Sequence, residues 1–454
     1  MYRRLATGAA VAMLAVLYLY LLAGMGMVGP DEPRYAWVGR AMAETCDWVT
    51  PRLWGEPWYE KPPLLYWLTG AGFRSGLSAD MAPRLPVALL SLAFLAFFHW
   101  RLRRLTDAAT ATWAAAMLAT TGGWLAYSHI GVTDLPLAVF FSAAVLLCCG
   151  DRPRLLPAAA CLGMAVLAKG LVPLLLFLPV LVLNYRRWKE WLRPAPLTVF
   201  ALVALPWFLL CTLRNGNDMA RVLFVEQTFG RFTSPALQHV QPWWFYLPVT
   251  LLLLFPWFPL LPLAGMARGI TQKTLAWVAI FGLVFFSLSI NKLPGYLLPL
   301  LPSACALMAS GLKQRARSGV WVAIPLLVMG MLPALVQVVP GALANGLRNT
   351  PVPWSLVAMG MGAAGLAGLL AARLDVRRAF AVALVATAAG FIWFEVAAIP
   401  RLDQAASARP VWRNSRPDCV PEGPRATAYG LYYYANRYLP PCKPLDPDRH
   451  DVVR

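Results

Sequence analysis

The sequence predicts an all-α polytopic membrane protein with about thirteen membrane-spanning helices. The first observation behind this fold class is the composition: 59% of the 454 residues are hydrophobic, 13% are charged, and the mean hydropathy is +0.57. Soluble globular proteins have about half apolar and about a quarter charged residues. The composition therefore excludes a disordered chain, a small disulfide-stapled protein and an ordinary soluble enzyme.

The second observation is the length of the apolar stretches. A helix that crosses the hydrocarbon core needs about 20 apolar residues. The first stretch is longer than the apolar core of a secretory signal, so we interpret it as an anchor. We expect spans at 7–28, 81–100, 108–126, 135–150, 155–168, 170–184, 195–212, 244–265, 274–290, 295–311, 318–338, 353–371 and 378–396.

The fifth and sixth of these spans form an apolar hairpin that is broken at Lys169-Gly170. Both flanks of the hairpin are basic, which leaves each arm about 14 residues, or about 21 Å, to cross a core of about 30 Å. Either the two helices are short beneath a water-filled cavity, or the segment is re-entrant. In both cases Lys169 lies below the outer surface and faces protein or water.

The third observation is the distribution of the charges, whose formal sum is +19. Cytoplasmic loops carry an excess of Lys and Arg, so Arg3 and Arg4 place the N-terminus in the cytoplasm. Nineteen of the 40 basic residues then fall in loops predicted inside, against four acidic residues. Orientation and contact with anionic membrane lipids thus explain the positive charge without nucleic-acid binding.

Most hydrophilic residues are left for the opposite side, which in a bacterium is the periplasm. We predict a transmembrane domain at 1–396 that carries the chemistry, and a small periplasmic domain at 397–454. Two long outer loops, at about 29–80 and 213–243, belong to the first domain. Functional polar residues are therefore expected at the periplasmic face of the inner membrane.

The first outer loop begins with a helical pattern at Asp31, followed by apolar residues at spacings of three and four. An acid in the first turn of a helix is favoured by the helix dipole. The same pattern fits a plain juxtamembrane helix with its apolar side in the lipid headgroups. The segment alone therefore leaves both a site and an anchor open.

Two further acids lie at the outer surface. Glu60 and Lys61 precede Pro62-Pro63, and the rigid prolines hold Lys61 in a defined direction. Asp134 lies at the outer start of a span, where a carboxylate is costly unless it faces water or a partner.

The second outer loop and a short outer turn add more charges. Glu226 and Arg231 precede an aromatic segment that is typical of an interfacial belt. Lys292 lies in the turn, where a snorkelling lysine is an equally good interpretation. Together the outer acids and cations suit a phosphorylated lipid, since cations hold a phosphate and a carboxylate serves as a base or metal ligand. The set consists of Asp31, Glu60, Asp134, Glu226, Lys61, Lys169, Arg231 and Lys292.

Seven segments of the first 310 residues carry a family resemblance. They are Asp31-Glu32-x-Arg34-Tyr35, the run from Gly55 to Trp67, Arg84-Leu85-Pro86, Thr133-Asp134, Leu167-Ala168-Lys169-Gly170, Glu226-x-x-x-x-Arg231-Phe232 and Lys292-Leu293-Pro294-x-Tyr296-Leu297-Leu298-Pro299. In this order they resemble the bacterial polyprenyl-phosphate-sugar glycosyltransferases of GT-C type. That family is related to the 4-amino-4-deoxy-L-arabinose lipid A transferase and, more distantly, to protein O-mannosyltransferases.

The resemblance implies thirteen membrane helices and periplasmic interfacial helices in the first outer loop. The tail itself suggests a small folded periplasmic cap, because it contains Tyr429, Tyr432, Tyr433, Tyr434 and Tyr438 with Gly430. The resemblance further implies an inverting transfer of a sugar from an undecaprenyl-phosphate-linked donor to lipid A or a related envelope glycolipid. Asp31 is then the essential acid, and Asp134 is a second acid.

The resemblance also assigns the residues around the donor phosphate. Lys61, Arg231 and Tyr296 are expected to contact it, with Arg34 nearby. Glu60 is expected to flank the site and is a candidate ligand for a divalent cation.

Two departures from the family leave questions open. Relatives often have Glu-His where this chain has Glu226-Gln227, so the need for a metal is undecided. The tail is short beside that of the aminoarabinose transferase, which leaves the acceptor undecided. A hydroxyl acceptor needs a base, for which Asp31 is the best candidate, whereas a phosphate acceptor is already ionised. The sequence contains no Walker-type loop or Rossmann fingerprint, so we expect no nucleotide cofactor.

Other functions are compatible with the same composition. A lipid or solute transporter is the first alternative, although transporters usually carry polar residues at mid-membrane. A non-catalytic assembly subunit is another, and transfer to protein or to another glycan is a variant of the main hypothesis. The charges at the outer helix ends favour chemistry at one face.

The cysteines fall into two groups. Most lie in expected spans, where they pack as small apolar residues. Cys419 and Cys442 both lie in the periplasmic tail, where oxidation is permitted. We predict a disulfide between them; two free thiols are the alternative.

Overall fold

A computed structural model describes residues 2–185, 188–223, 240–315, 319–346 and 349–442. The described chain is predominantly helical, and its first part carries the outer loop that holds most of the expected site. The elements of this part are α1 (Tyr2–Leu19), α2 (Asp31–Thr45), β1 (Arg52–Leu53), β2 (Glu56–Pro57), α3 (Leu64–Arg74) and α4 (Leu85–Leu105).

The middle of the chain contains mostly short apolar helices. They are α5 (Ala108–Ala119), α6 (Gly122–Ser128), α7 (Asp134–Cys148), α8 (Leu155–Lys169), α9 (Val172–Leu176), α10 (Leu178–Leu183), α11 (Trp188–Trp191), α12 (Pro194–Asn215) and α13 (Asp218–Ala220).

The last part alternates longer helices with 3₁₀ turns at Trp243–Phe245, Phe258–Leu260 and Pro294–Leu300. Its α-helices are α14 (Tyr246–Leu253), α15 (Leu261–Ala264), α16 (Ile270–Leu288), α17 (Leu301–Arg315), α18 (Val320–Met329), α19 (Leu332–Asn345), α20 (Trp354–Ala372), α21 (Val376–Ala406), α22 (Arg409–Ser415) and α23 (Arg425–Ala435).

Within the described residues, six helices are long and apolar enough to cross a membrane, and two bent pairs raise this number to eight. The six are Leu85–Leu105, Pro194–Asn215, Ile270–Leu288, Pro294–Gln314, Trp354–Ala372 and Val376–Ala406. The chain is thus a multi-pass helical membrane protein, and the number thirteen stays a prediction. The shorter apolar helices are Gly8–Leu19, Ala108–Ala119, Asp134–Cys148, Leu155–Lys169 and Val172–Leu183.

Helix breaks explain why several expected spans are shorter than the apolar stretches. The expected span at 108–126 is divided between α5 and α6, where the N–H of Gly122 donates to Phe255 O at 2.8 Å instead of to a carbonyl of α5. The first span ends at Leu19 and is followed by a Gly-rich elbow, which we define as residues 20–30.

At the other end of the chain, α21 continues past residue 396, so the predicted domain boundary falls inside a helix.

Helix α7 is surrounded by α4, α8 and the 3₁₀ turn at Pro294–Leu300. Its C-terminus is capped by buried Arg101, whose Nε donates to Leu146 O at 3.0 Å and whose Nη2 donates to Cys149 O at 2.9 Å. These bonds satisfy carbonyls that a helix end leaves without partners. The opposite end of α7, which begins at Asp134, is thereby held in a fixed place.

The first outer loop is compact. Helices α2 and α3 pack closely, since a Cβ added to Gly39 would lie 2.6 Å from Thr69 Cβ. Strands β1 and β2 form a short antiparallel hairpin between them. In the tail, helix α23 packs on α2, and a disulfide joins Cys419 to Cys442. The tail and the first outer loop therefore form one packed layer.

Candidate active site

The N-terminus of α2 begins a chain of ion pairs that we call the ion network: Asp31, Arg34, Glu60 and Lys61. Arg34 Nη2 pairs with Asp31 Oδ1, and Arg34 Nη1 lies 3.1 Å from Glu60 Oε2. Lys61 Nζ lies 3.0 Å from Glu60 Oε1. Two cations and two carboxylates therefore alternate, and residues 26 positions apart in sequence meet in space.

Local structure explains how the ion network assembles. Arg34 lies one helical turn after Asp31, so both side chains are on the same face of α2. Arg34 Nε also donates to Pro30 O at 3.0 Å, which fixes the guanidinium against the start of the helix. Glu60 and Lys61 arrive from the hairpin, directly before the prolines that lead into α3.

The members of the ion network differ in exposure. The Asp31 side chain is 39% exposed, whereas that of Lys61 is only 7% exposed. In order of exposure, Asp31 comes first, and the two cations follow, with Arg34 at 19% and Lys61 last. This order suits a site in which a carboxylate contacts the nucleophile and cations contact an anion.

Burial and neighbouring carboxylates set the charge states around Asp31. Burial disfavours the charged form of Arg34, but the carboxylates of Glu60 and Asp31 outweigh it and raise the pKa of the guanidinium above its ordinary value. Burial, with Asp31 and Glu60, likewise raises the pKa of Tyr35 well above the usual value. Arg34 therefore stays cationic and the Tyr35 phenol stays neutral.

A second acid group forms at the start of α7. Lys169 Nζ lies 2.6 Å from Asp134 Oδ1, and the same ammonium lies 4.7 Å from the centre of the Tyr296 ring. A Cβ added to Gly295 would lie 2.6 Å from Asp134 Oδ1, so only glycine fits beside this carboxylate. Asp134, Lys169 and Tyr296, which are far apart in sequence, are therefore neighbours.

Tyr127 connects the two acid groups. The carboxylates of Asp134 and Asp31 both act electrostatically on its phenol, and a Cβ on Gly295 would lie 2.9 Å from Tyr127 Cε1. Both acids are thus close enough to Tyr127 to act on its phenol, and Tyr127 and Asp134 both lie beside Gly295. Tyr127 is not among the site residues expected from sequence, because a tyrosine in an apolar helix carries no local signal.

The remaining expected site residues have different positions. Lys292 is buried, and its Nζ donates to the carbonyls of Ser289 and Gln241, which stabilises the outer turn. Glu226 and Arg231 lie outside the described residues. Their contribution to the site stays a prediction.

Two further residues organise the site without having been assigned a role from sequence. Glu32 and Arg84 are both fully buried and form a bidentate pair, with N–O distances of 2.7 and 2.8 Å. The Glu32 carboxylate also accepts from Val28 N at 2.8 Å and from Gly131 N at 2.9 Å. Because Gly131 precedes α7, this pair links the segment before Asp31 to the segment before Asp134.

The divalent cation that Glu60 was expected to help bind stays a prediction for the described residues. They contain no group of three or more His, Cys, Asp or Glu side chains that could hold an ion. Both oxygens of Glu60 carry cationic partners, Arg34 and Lys61, and a third cation beside them would be repelled.

Comparison with known proteins agrees with this geometry. The family model of dolichyl-phosphate-mannose-protein mannosyltransferases matches residues 60–213. The undecaprenyl phosphate-alpha-4-amino-4-deoxy-L-arabinose arabinosyl transferase of Pseudomonas aeruginosa strain UCBPP-PA14 is 34% identical, over 89% of this chain and 76% of that protein. The enzyme of the same name from Pseudomonas paraeruginosa is 33% identical, with the same coverage.

A solved structure matches almost the whole chain. It is the crystal structure of ArnT from Cupriavidus metallidurans bound to undecaprenyl phosphate, with a TM-score of 0.76, 25% identity, and coverage of 96% of this chain and 86% of that one. The fold is therefore the GT-C fold of that protein. The chain belongs to the undecaprenyl phosphate-aminoarabinose arabinosyl transferase family of polyprenyl-phosphate-sugar glycosyltransferases, which are multi-pass enzymes of the bacterial inner membrane.

Proposed function

We propose that this enzyme transfers a sugar, with inversion, from an undecaprenyl-phosphate-linked donor to lipid A or a related envelope glycolipid. The observation that carries the proposal is the ion network, in which an exposed carboxylate, Asp31, stands before two cations. The names of the relatives support an aminoarabinose donor, and the ligand of the Cupriavidus metallidurans protein supports a polyprenyl phosphate carrier.

The proposed topology has thirteen crossings, with the N-terminus in the cytoplasm and the ion network and the tail in the periplasm. The charge bias of the loops supports this orientation. The short helices supply the crossings beyond the longer ones, since helices near a water-filled cavity need not span the full hydrocarbon thickness. The small tail is the proposed periplasmic cap.

The donor phosphate is the leaving group of the proposed reaction. The acceptor oxygen attacks C1 of the sugar, the bond between C1 and the phosphate oxygen breaks, and that oxygen keeps the electron pair. Lys61, Arg34 and Tyr296, with Arg231, stabilise the negative charge that develops on the phosphate. One such group is worth about 3–4 kcal/mol of barrier in other enzymes.

Asp31 contacts the acceptor in this proposal. It takes the proton of a hydroxyl acceptor as a general base, a contribution of about 10²–10⁴-fold. A phosphate acceptor is already ionised and needs no base, and Asp31 then orients the acceptor or a cation instead.

Asp134 has a different task because its partner is a lysine. Asp134 holds Lys169 over the Tyr296 ring, which keeps a further cation near the leaving phosphate. Since the Lys169 charge is paired, it adds an electrostatic contact without adding net charge to the site.

The proposal is tested with the full-length protein in lipid nanodiscs, undecaprenyl-phosphate-linked 4-amino-4-deoxy-L-arabinose and lipid A. Asp31→Asn is expected to lower the release of undecaprenyl phosphate by about 10²–10⁴-fold with an unchanged melting temperature. The matched control is Asp418→Asn, which removes a carboxylate from the tail. The Asp418 side chain is 91% exposed. Wild-type turnover in Asp31→Asn would remove this residue from the mechanism, and release of donor without sugar transfer would favour the transporter.

A further inference from the structure

The elbow that leads into Asp31 is held by side chains from outside it. A segment without helix or strand must satisfy its carbonyls by other means. The carbonyls of residues 22–26 all accept hydrogen bonds from two arginine side chains, Arg84 and Arg409. We call these two residues the arginine clamp.

Arg84 holds the two ends of this run of carbonyls. It donates to Leu22 O at 3.2 Å, to Met25 O at 2.5 Å and to Gly26 O at 2.8 Å. Its charge is balanced by Glu32. Because Glu32 follows Asp31 directly, Arg84 connects the elbow to the first turn of α2.

Arg409 holds the middle of the run and comes from the tail. It donates to Ala23 O at 2.8 Å and to Gly24 O at 2.6 Å. Its guanidinium also lies 2.8 Å from Asp403 Oδ2 and 2.9 Å from Asp80 Oδ2. One buried side chain serves two carbonyls and two carboxylates at once, because a guanidinium presents five N–H donors in a fixed plane.

The tail also binds the N–H groups of the elbow. Gly26 N donates to Asp403 Oδ1 at 2.7 Å, and Met27 N donates to the Tyr434 hydroxyl at 2.9 Å. The same hydroxyl donates to Asp80 Oδ1 at 2.8 Å. A Cβ added to Gly26 would lie 2.5 Å from the Tyr434 oxygen, so the elbow and the tail are in direct contact.

We infer that Arg409 is a positioning residue for sugar transfer, which acts on Asp31 through the elbow. The inference rests on the catalytic role proposed for Asp31. The elbow sets the point at which α2 begins, and Asp31 is its first residue, so a shift of the elbow moves the carboxylate. A misplacement of about 1 Å lowers turnover by about 10²-fold in other enzymes. The tail is therefore part of the active centre.

A purely stabilising role is the alternative, and Arg409→Lys separates the two. Lysine keeps the positive charge beside Asp403 and Asp80, but an ammonium lacks the planar fork that reaches both carbonyls. The matched control is Arg437→Lys. Arg437 is an exposed tail arginine that forms an ion pair of 2.7 Å with Asp418.

The experiment uses the full-length protein in nanodiscs with the donor and lipid A named above. In Arg409→Lys we expect kcat to fall about tenfold or more, with KM for the donor within about twofold of wild type, as for a loss specific to the transition state. Arg437→Lys keeps both constants. In an Asp31→Asn background, Arg409→Lys is expected to cause no further loss, because its effect passes through Asp31.

A folded Arg409→Lys protein with wild-type kcat overturns the inference. An equal loss in the Asp31→Asn background overturns it as well, since the effect would then be independent of Asp31. If Arg409→Lys does not fold, Tyr434→Phe decides, because it removes only the hydroxyl that binds Met27 N. A lower kcat at constant KM in that variant supports the inference, and a wild-type kcat overturns it. Failure of the role proposed for Asp31 looks different, because Asp31→Asn alone would then keep full turnover.

Discussion

Asp31 and Glu32 are adjacent residues with the same charge, yet they belong to different regions of the molecule. The oxygens of Glu32 are saturated by a guanidinium and two backbone N–H groups, and its side chain is fully buried. Asp31 pairs with Arg34 and stays partly exposed. Successive residues of a helix point about 100° apart, so one step along α2 separates the packed interior from the site.

The same difference separates the cations of the two regions. The arginine clamp donates mainly to backbone carbonyls, and its remaining donors are bound by the carboxylates of Glu32, Asp80 and Asp403, which leaves no donor for a substrate. Arg34 and Lys61 pair instead with the side-chain carboxylates of Asp31 and Glu60, of which Asp31 is 39% exposed. The N–H donors of the arginine clamp are thus occupied by groups that stabilise the fold. The donors of Arg34 and Lys61 are bound by carboxylates that a substrate can replace. Substitutions in the two regions are therefore expected to differ in their effects on stability and turnover.

The largest expected effect is on stability, from Arg84→Met. This change leaves the Glu32 carboxylate buried without its partner, and breaking a buried pair costs about 3–5 kcal/mol. We expect a large loss of monodisperse protein in size-exclusion chromatography and a lower melting temperature. Arg103→Met, which removes an exposed arginine from α4, is the control and should behave as wild type. A wild-type melting temperature for Arg84→Met would contradict the structural assignment of the clamp.

The next effect is on catalysis, from Lys61→Met. Loss of a cation that stabilises the leaving phosphate raises the barrier by about 3–4 kcal/mol, and the expected result is a fall in kcat of about 10²–10³-fold. Glu60 keeps Arg34 as a partner, so the melting temperature should fall less than in Arg84→Met. Lys61→Arg retains the charge and should recover part of the activity. If Lys61→Met destabilises the protein as much as Arg84→Met does, the two regions are not distinct.

The residues of the ion network have clearer patterns in the sequence than those of the arginine clamp. Asp31, Glu60 and Lys61 lie beside helix starts and prolines, which leave local patterns, and the structure brings them together. Arg409 contacts a backbone carbonyl 386 positions away, and a contact of that separation has no local pattern. Glu32 was visible within its motif, but the sequence does not reveal which of two adjacent acids faces the interior.

The fold was predictable in class and less so in its helix lengths. Composition and loop charge are averages over many residues, so they identify a multi-pass membrane protein reliably. At the break after α5, Gly122 N donates to Phe255 O at 2.8 Å, a carbonyl from a distant part of the chain. Hydropathy is a local average and does not detect such a contact.

A smaller effect is expected from Tyr429→Leu, which acts at the border of the two regions. Arg34 lies between two rings, with its Cζ 5.3 Å from the centre of Trp58 and 5.4 Å from that of Tyr429. A cation–π contact at a partly exposed site is worth about 0.5–1 kcal/mol, so we expect kcat/KM to fall about two- to fivefold. Tyr438→Leu, which removes an exposed ring packed on Tyr432, is the control. Equal values for both variants would mean that the tail does not act on Arg34.

The smallest effect is expected from a substitution of Asp107. Its carboxylate has several hydrogen-bond partners, like that of Glu32, but it is partly exposed, like that of Asp31. Its side chain caps α5 by accepting from Ala109 N at 2.9 Å and Thr110 N at 3.2 Å, and Lys313 Nζ lies 2.8 Å from Oδ2. Partial burial acts to raise its pKa, but the hydrogen bonds from Lys313 and Thr110 outweigh it and lower the pKa to about 2.

Since the pKa of Asp107 is depressed in the folded state, its ionised form stabilises the protein above the ordinary carboxyl value of 3.8. This contribution is lost as the pH falls from that value through about 2. Asn caps a helix about as well as Asp, so Asp107→Asn should melt close to wild type at pH 5 and should lose less stability by pH 2. Lys313→Gln should reduce the same pH dependence, because it removes the cation that lowers the pKa. If the melting temperatures of wild type and Asp107→Asn change in parallel with pH across this range, the hydrogen bonds and ion pair of an exposed carboxylate do not stabilise the protein. Burial alone would then make Glu32 structural.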